Sequence, residues 1–151
     1  MSTPADSPPP YPQTPAGPVP HRPPSGMQSW AVGLVVLACL PFLGSVLAGA
    51  GMAVSGVLQR SSGGLARANG TGAANWGITY LAATVLLVGG HFFALYMVDT
   101  RDLEMSGWFL IPLGLWALVS VLHVVTTIRG MLHAGRGEAF RAPGALPLLR
   151  D

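Results

Sequence analysis

The feature that most constrains this chain is an uninterrupted apolar run of 29 residues, Trp30 to Leu58, without one formally charged side chain. A bilayer's hydrocarbon core is crossed by about 20 apolar residues rising 1.5 Å each. As one straight helix the run would extend roughly 43 Å, too long for one comfortable span and too short for two. Pro41 and Gly44 lie near its middle. Proline removes a backbone donor and clashes with the preceding turn, so a kink or a break is expected there. A break would give a re-entrant piece followed by a span, a four-segment variant in which the run folds back.

Two more apolar segments follow. Asn75 to Val98 reads as a second span and Gly107 to Ile128 as a third. The expected fold class is therefore an all-α integral membrane protein with three transmembrane segments, the first long and kinked or broken at Pro41–Gly44. Composition agrees. Half of the 151 residues are apolar and 9% are charged, whereas soluble domains carry about 25% charged residues. The domains read as a proline-rich tail, 1–29, and a membrane domain, 30–151.

The tail holds ten of the chain's 14 prolines, between Pro4 and Pro24. It should be disordered and extended, partly polyproline II. A Pro-x-x-Pro reading would suit an SH3-like partner, but a low-complexity spacer explains the same composition. Val36-Leu37-Ala38-Cys39 loosely resembles a lipoprotein cleavage box. The apolar run continues far past Cys39, unlike the 7–15 residues of a signal core.

Charge sets the expected orientation. All eight basic residues are arginines, and six of them flank the spans on one side: Arg60 and Arg67 in the polar segment 59–74, and Arg129, Arg136, Arg141 and Arg150 in a basic tail, 129–151. The loop 99–106 carries Asp99, Asp102 and Glu104 against Arg101. The positive-inside rule places the arginine-rich side in the cytoplasm and the acidic loop outside a cell membrane. The scattered arginines give no nucleic-acid footprint. Asn69-Gly70-Thr71 matches a glycosylation sequon, but on a cytoplasmic segment it reads as accidental.

Polar residues recur at helical spacing within the spans: Tyr80, Thr84 and His91 in the second, with Gly77 on the same face, and Trp116, Ser120, His123 and Thr127 in the third. Lipid cannot satisfy such groups, so the stripes should face one another or another protein. They serve either as interhelical hydrogen bonds or as a polar path for a solute. His91 and His123 are the residues a bis-imidazole haem would use. Counted from the span ends, they differ in depth by roughly 13 Å at 1.5 Å per residue, which suits axial ligation poorly. No cofactor or metal is expected, and the single Cys39 rules out an internal disulfide. Gly44/Ala48, Gly49/Ala53 and Gly51/Ser55 are small-xxx-small pairs that permit close helix approach, within the chain or between copies. Trp76 and Trp108 sit where interfacial anchors belong.

Two motifs join these parts. Ala66-Arg67-Ala68-Asn69-Gly70-Thr71-Gly72-Ala73-Ala74-Asn75-Trp76-Gly77-Ile78-Thr79 leads into the second span, and Arg136-Gly137-Glu138-Ala139-Phe140-Arg141-Ala142-Pro143 follows the third. Together they resemble a family of small bacterial membrane proteins similar to the twenty-kilodalton membrane subunit of the chloroplast inner-envelope protein import (Tic) machinery. Its members start a span with Ala-x-Asn-aromatic-Gln-Ile-Thr and leave one with Asn-Gly-Glu-x-aromatic-Arg-Tyr-Pro. The matching positions here are Asn75, Trp76, Gly137, Glu138, Arg141 and Pro143. The chain departs at Gly77, Arg136 and Ala142, where the family has Gln, Asn and Tyr. Taken by themselves, these residues suggest local roles. Asn75 would cap the start of the span, Glu138 would pair with Arg141, and Pro143 would end a helical continuation.

The sequence contains no nucleophile–base pair and no acidic metal motif, so a non-enzymatic protein acting by helix–helix contact is expected. Its partners would be the bilayer, other copies of itself or other membrane proteins. The resemblance implies a part in membrane-protein assembly or protein transport. The alternative is an oligomeric small-solute transporter or channel subunit built on the two polar stripes.

Overall fold

A computed structural model describes residues 23–38, 42–101 and 107–150. The proline-rich stretch up to Arg22, Cys39, Pro41 and most of the acidic loop lie outside the described residues. Within them the fold is all-helical. Helix α1, Met27–Ala31, continues directly as a 3-10 helix, Val32–Ala38. Helix α2 spans Leu43–Gln59, and a 3-10 turn, Arg60–Ser62, leads to α3, Gly64–Thr100. One more 3-10 turn, Gly107–Leu110, opens onto α4, Ile111–Gly135.

The first apolar run is broken and folds back. The chain reverses before α2, where Phe42 adopts φ 61°, the only positive φ of a non-glycine residue among those described. Such a conformation costs about 1–3 kcal/mol and persists only where its surroundings hold it. Here the Phe42 ring packs on Trp116 and Phe92, with centroids 4.8 and 6.2 Å away. The two limbs then run antiparallel. Gly44 lies against the carbonyls of Val35 and Val36, Gly51 against Val32, and Gly33 against Met52. At the open end Met27 and Gln28 line one cavity together with Gln59. Both ends of the run therefore lie at the same end of the bundle.

α3 is longer than the expected second span. Its 37 residues take in most of the polar segment 59–74. That segment contains Asn, Thr and Arg, yet Ala66, Asn69, Gly70, Thr71, Gly72, Ala73 and Ala74 are all buried. Small side chains allow close packing here. A Cβ on Gly70 would come 2.6 Å from the Gly56 carbonyl oxygen, and one on Gly77 would come 2.7 Å from that of Gly49. Glycines seven residues apart on each helix thus bring α2 and α3 into backbone contact. The small-residue stripe of α2 serves this intrachain crossing.

α4 also outlasts its expected end at Ile128. Pro112 sits in its first turn, where the missing N–H costs nothing. The helix stops at Gly135, with Gly137 at φ 81° and the amides of Gly137 and Glu138 bonded to the carbonyls of Ala134 and His133. This is the glycine-terminated C-cap pattern. The basic tail therefore begins at Arg136, and Arg129 is helical.

The core, Trp30, Met52, Ala73, Trp76, Ala134, Phe140 and Ala142, gathers at the end where α3 begins and α4 finishes. The Trp30 ring fills the space a side chain at Gly130 would need and meets Phe140 edge-on at 5.3 Å. At the opposite end, among the described residues, only α3 and α4 with its leading 3-10 turn continue, exposing Leu86, Phe92, Phe93, Ile111 and Leu118. Two segments, Gly64–Thr100 and Gly107–Gly135, are long and apolar enough to cross a membrane. A surface this apolar is what a lipid environment requires.

Candidate functional site: a polar seam and an anchored tail

The two polar stripes meet along the α3–α4 contact, and the folded-back hairpin joins them. Tyr80, 1% exposed, donates its hydroxyl proton to Ser45 Oγ at 2.8 Å, and Ser120 Oγ lies 3.0 Å from the same oxygen. The Tyr80 ring stacks on His123 at 3.8 Å. His123, fully buried, accepts the Trp76 indole N–H at Nδ1 over 3.2 Å, and its Nε2 lies 3.0 Å from the Gly33 carbonyl. An indole N–H can only donate, so Nδ1 must be unprotonated and the imidazole is the neutral Nε2–H tautomer. Six residues from four helical pieces thus enter a single network: Gly33, Ser45, Trp76 and Tyr80 on α3, and Ser120 and His123 on α4.

The rest of the stripe is less connected. The hydroxyls of Thr84 and Thr127 and the Trp116 indole N–H are buried without a partner. His91 lies apart, with Nδ1 2.9 Å from the Phe109 carbonyl. From Trp76, which is level with His123, to His91 is roughly 22 Å along α3 at 1.5 Å per residue. The depth difference is thus larger than the span ends suggested. Among the described residues no three His, Cys, Asp or Glu side chains gather as a metal site would require.

The motif residues are engaged differently from their expected local roles. Asn75 does not cap a helix, because α3 starts at Gly64. Its amide makes a two-point clamp on the C-terminal segment, with Nδ2 donating to the Leu149 carbonyl at 2.9 Å and Oδ1 accepting the Leu149 N–H at 2.8 Å. Trp76 is not an interfacial anchor; it is 8% exposed and bonds His123, while Trp108 is 46% exposed. The Glu138 carboxylate meets His133 Nδ1 at 2.6 Å, not Arg141. Pro143 does not end the helix, which has already stopped at Gly135.

Asn69, which the sequence marked only as a chance sequon within the first motif, makes three long-range ties. It is fully buried. Its Nδ2 donates to the carbonyls of Ser25 and Glu138 at 2.9 and 3.1 Å, and its Oδ1 accepts the Phe140 N–H at 2.9 Å. One amide therefore ties the segment before α1 to the segment after α4. Thr79 adds a further tie, accepting the Leu146 N–H at 2.9 Å. Each such bond contributes about 0.5–1.5 kcal/mol net. The sequon at Asn69 is buried inside the fold, which agrees with its being accidental. Helical spacing linked Asn69 to neither terminus, because both partners are backbone groups distant in sequence.

The comparisons bear on this architecture directly. The profile of the magnetosome magnetite crystal formation protein family, MamF/MmsF, matches residues 27–149. No curated protein and no solved structure matches the chain. The likeness to a small bacterial membrane-protein family holds at that level, and the match runs from the first residue of α1 to the clamped Leu149. Because it takes in every helix and the anchored tail, the chain belongs to the MamF/MmsF family of magnetosome magnetite crystal formation proteins.

Proposed function

We propose that this protein is a non-enzymatic scaffold of the membrane in which magnetite crystals form, acting through helix contacts with other membrane proteins or further copies of itself. The observation that carries this reading is the seam. Tyr80, Ser45, Ser120, Trp76, His123 and the Gly33 carbonyl spend their hydrogen bonds on one another. Polar groups satisfied in this way hold helices together and offer little to a passing solute. The resemblance to the import subunit extends the reading to the assembly or insertion of other membrane proteins, as an analogy of architecture.

The proposed placement follows from the rim residues. Trp108 and Arg129 lie 21 residues apart, roughly 32 Å at helical rise, close to the hydrocarbon thickness of about 30 Å. α3 and α4 then cross fully. The hairpin enters from the arginine side and turns level with Trp116, roughly 20 Å in. The positive-inside rule sets Arg60, Arg67, Arg129, Arg136, Arg141 and Arg150 in the cytoplasm. On this reading the chain before α1 starts on the cytoplasmic side too, and the acidic loop faces the opposite compartment.

The test is deletion of the gene in its magnetite-forming host, with crystal size and number counted by electron microscopy and crosslinked partners recovered from native membranes. Complementation by the wild type and by His91→Ala alike, with other membrane proteins crosslinked, supports the scaffold. Recovery of self-oligomers alone, together with a solute flux lost in His91→Ala, would replace it with the transporter reading.

A further inference from the structure

After α4 the chain carries eight residues without a charge, 142–149, between Arg141 and Arg150. Their backbone is irregular, yet its donors are spent. From 145 to 149 Pro147 has no N–H, and the other four are all bonded. Ala145 donates to the Ala142 carbonyl at 3.3 Å, Leu148 to the Leu146 carbonyl at 2.8 Å, Leu146 to Thr79 Oγ1 at 2.9 Å and Leu149 to Asn75 Oδ1 at 2.8 Å. A tail in water does not require this, because water takes its donors. The leucines show the converse, with Leu146 50% and Leu148 57% exposed. Satisfied donors beside bare leucines suit apolar surroundings.

The register of α3 on α4 gives the depth. Tyr80 meets Ser120 and His91 meets Phe109, so Thr71 lies level with Arg129, the inner membrane boundary of the placement above. Asn75 is four residues and Thr79 eight residues further along α3, roughly 6 and 12 Å inside that boundary. The segment therefore dips past the boundary at Leu146 and returns to Arg150, whose carbonyl accepts a bond from Arg60 Nη2 at 2.8 Å.

We propose that residues 142–149 form an interfacial loop seated in the lipid leaflet on the arginine side, with Leu146 and Leu148 among the acyl chains. Non-helical backbone persists at such depth where protein or a polar cavity serves its polar groups. Here Thr79 and Asn75 take donors, and the segment lines a cavity of about 440 Å³ whose other wall includes Thr71. Apolar side chains of interfacial segments enter the headgroup–acyl boundary to about 5–10 Å, close to the depth set by the two ties. The loop also accounts for Asn75 and Thr79, polar residues of a lipid-crossing helix that lie outside the Tyr80–His123 seam. Thr79 is doubly engaged, donating to the Asn75 carbonyl at 2.7 Å while it accepts from Leu146. The loop rests on the membrane placement and not on the scaffold role.

The experiment uses the full chain with its one cysteine changed, Cys39→Ser, in vesicles of phosphatidylcholine and phosphatidylglycerol. A nitroxide is attached at Leu146→Cys or Leu148→Cys. Leu86→Cys, 74% exposed on α3, is the lipid-facing reference, and Ser62→Cys, exposed at the arginine-rich end, is the aqueous one. Relaxation by oxygen, which concentrates in lipid, is compared with relaxation by a nickel chelate present on both sides of the membrane. Labels at Leu146 and Leu148 should behave as at Leu86, open to oxygen and protected from the chelate, while Ser62 shows the reverse. Thr79→Val strands the Leu146 N–H and should raise chelate access at Leu146 but not at Leu86; Thr79→Ser should restore protection. Chelate access at Leu146 and Leu148 matching Ser62, with Leu86 protected, would overturn the loop and leave the spans standing. Protection from both reagents would assign the leucines to a protein contact, a second copy or another partner, and would overturn it as well. Chelate access at Leu86 would remove the placement, and the loop with it. The first two of these adverse results leave the proposed function intact.

Discussion

Gly77→Ala isolates the contact on which the hairpin depends. An added Cβ would lie 2.7 Å from the Gly49 carbonyl oxygen and from Met52 Cβ, and 2.9 Å from the Ala53 backbone nitrogen. Two of these three neighbours are backbone, so no rotamer change relieves the clash. α2 and α3 must part by about 0.7 Å to restore ordinary contact, and a gap of 0.5–1 Å forfeits a quarter to a half of each dispersion well along the crossing. Overpacking of this kind costs about 1–3 kcal/mol. The intrinsic helix preference of alanine over glycine offsets about 1 kcal/mol of that. A net loss of up to about 2 kcal/mol is expected. Gly89 provides the control, because a Cβ there meets nothing within 4 Å. Gly89→Ala should therefore stabilise by about 0.5–1 kcal/mol, opposite in sign for the same chemical change. Reversible unfolding in mixed micelles titrated with a denaturing detergent, followed by circular dichroism, resolves the difference. If Gly77→Ala proves as stable as Gly89→Ala, the glycine-mediated crossing is not what holds α2 to α3.

The remaining expectations concern the ties and the topology. Asn69→Ala leaves the buried Phe140 N–H unpaired and should destabilise by about 1–3 kcal/mol, with faster proteolysis of residues 136–150 as the direct readout; unchanged cleavage would mean the tail is held elsewhere. His123→Phe strands the Trp76 indole N–H and the Gly33 carbonyl at a similar cost, seen as a lowered melting temperature and a shifted tryptophan emission. His91→Ala, which loses one bond at the sparsely packed end, should cost about 1 kcal/mol or less; equal effects of the two histidine changes would contradict the network. A cysteine introduced near Gly17 should react with an impermeant thiol reagent only from the cytoplasmic side, and labelling from outside would contradict a hairpin that returns to its own side.

The sequence made the membrane class readable because apolar length needs no tertiary context. Asn75 to Val98 and Gly107 to Ile128 both lie within the long helices, and the positive φ of Phe42 that precedes α2 falls within the expected Pro41–Gly44. The start of α3 was not readable. Residues 64–74 look polar, and only their packing under α2 and the tail reveals a helix built from small side chains. A seven-residue spacing of Gly70 and Gly77, matched by Gly49 and Gly56, is the signal that would have joined the two helices. The residues of the seam were visible as stripes at helical spacing. Their partners were not, because Ser45 is one hydroxyl in an apolar run and the Gly33 carbonyl is backbone.

The departures from the motif now have a physical reading. At Gly77, the position where the motif expected from sequence has Gln, even a methyl group would meet the backbone of α2. The glycine therefore belongs with Gly49, and the close crossing is a property of this pair of helices. The neighbouring Asn75 and Trp76 point to other partners, the tail at Leu149 and His123 on α4. Three successive residues of α3 thus serve three different contacts, as the 100° step of a helix demands. In this chain the motif is a joint: it fixes the hairpin, the second crossing helix and the C-terminal segment against one stretch of α3. The amides of Asn69 and Asn75 hold the arginine-rich end together, tying the segment before α1 and the C-terminal segment to the first turns of α3.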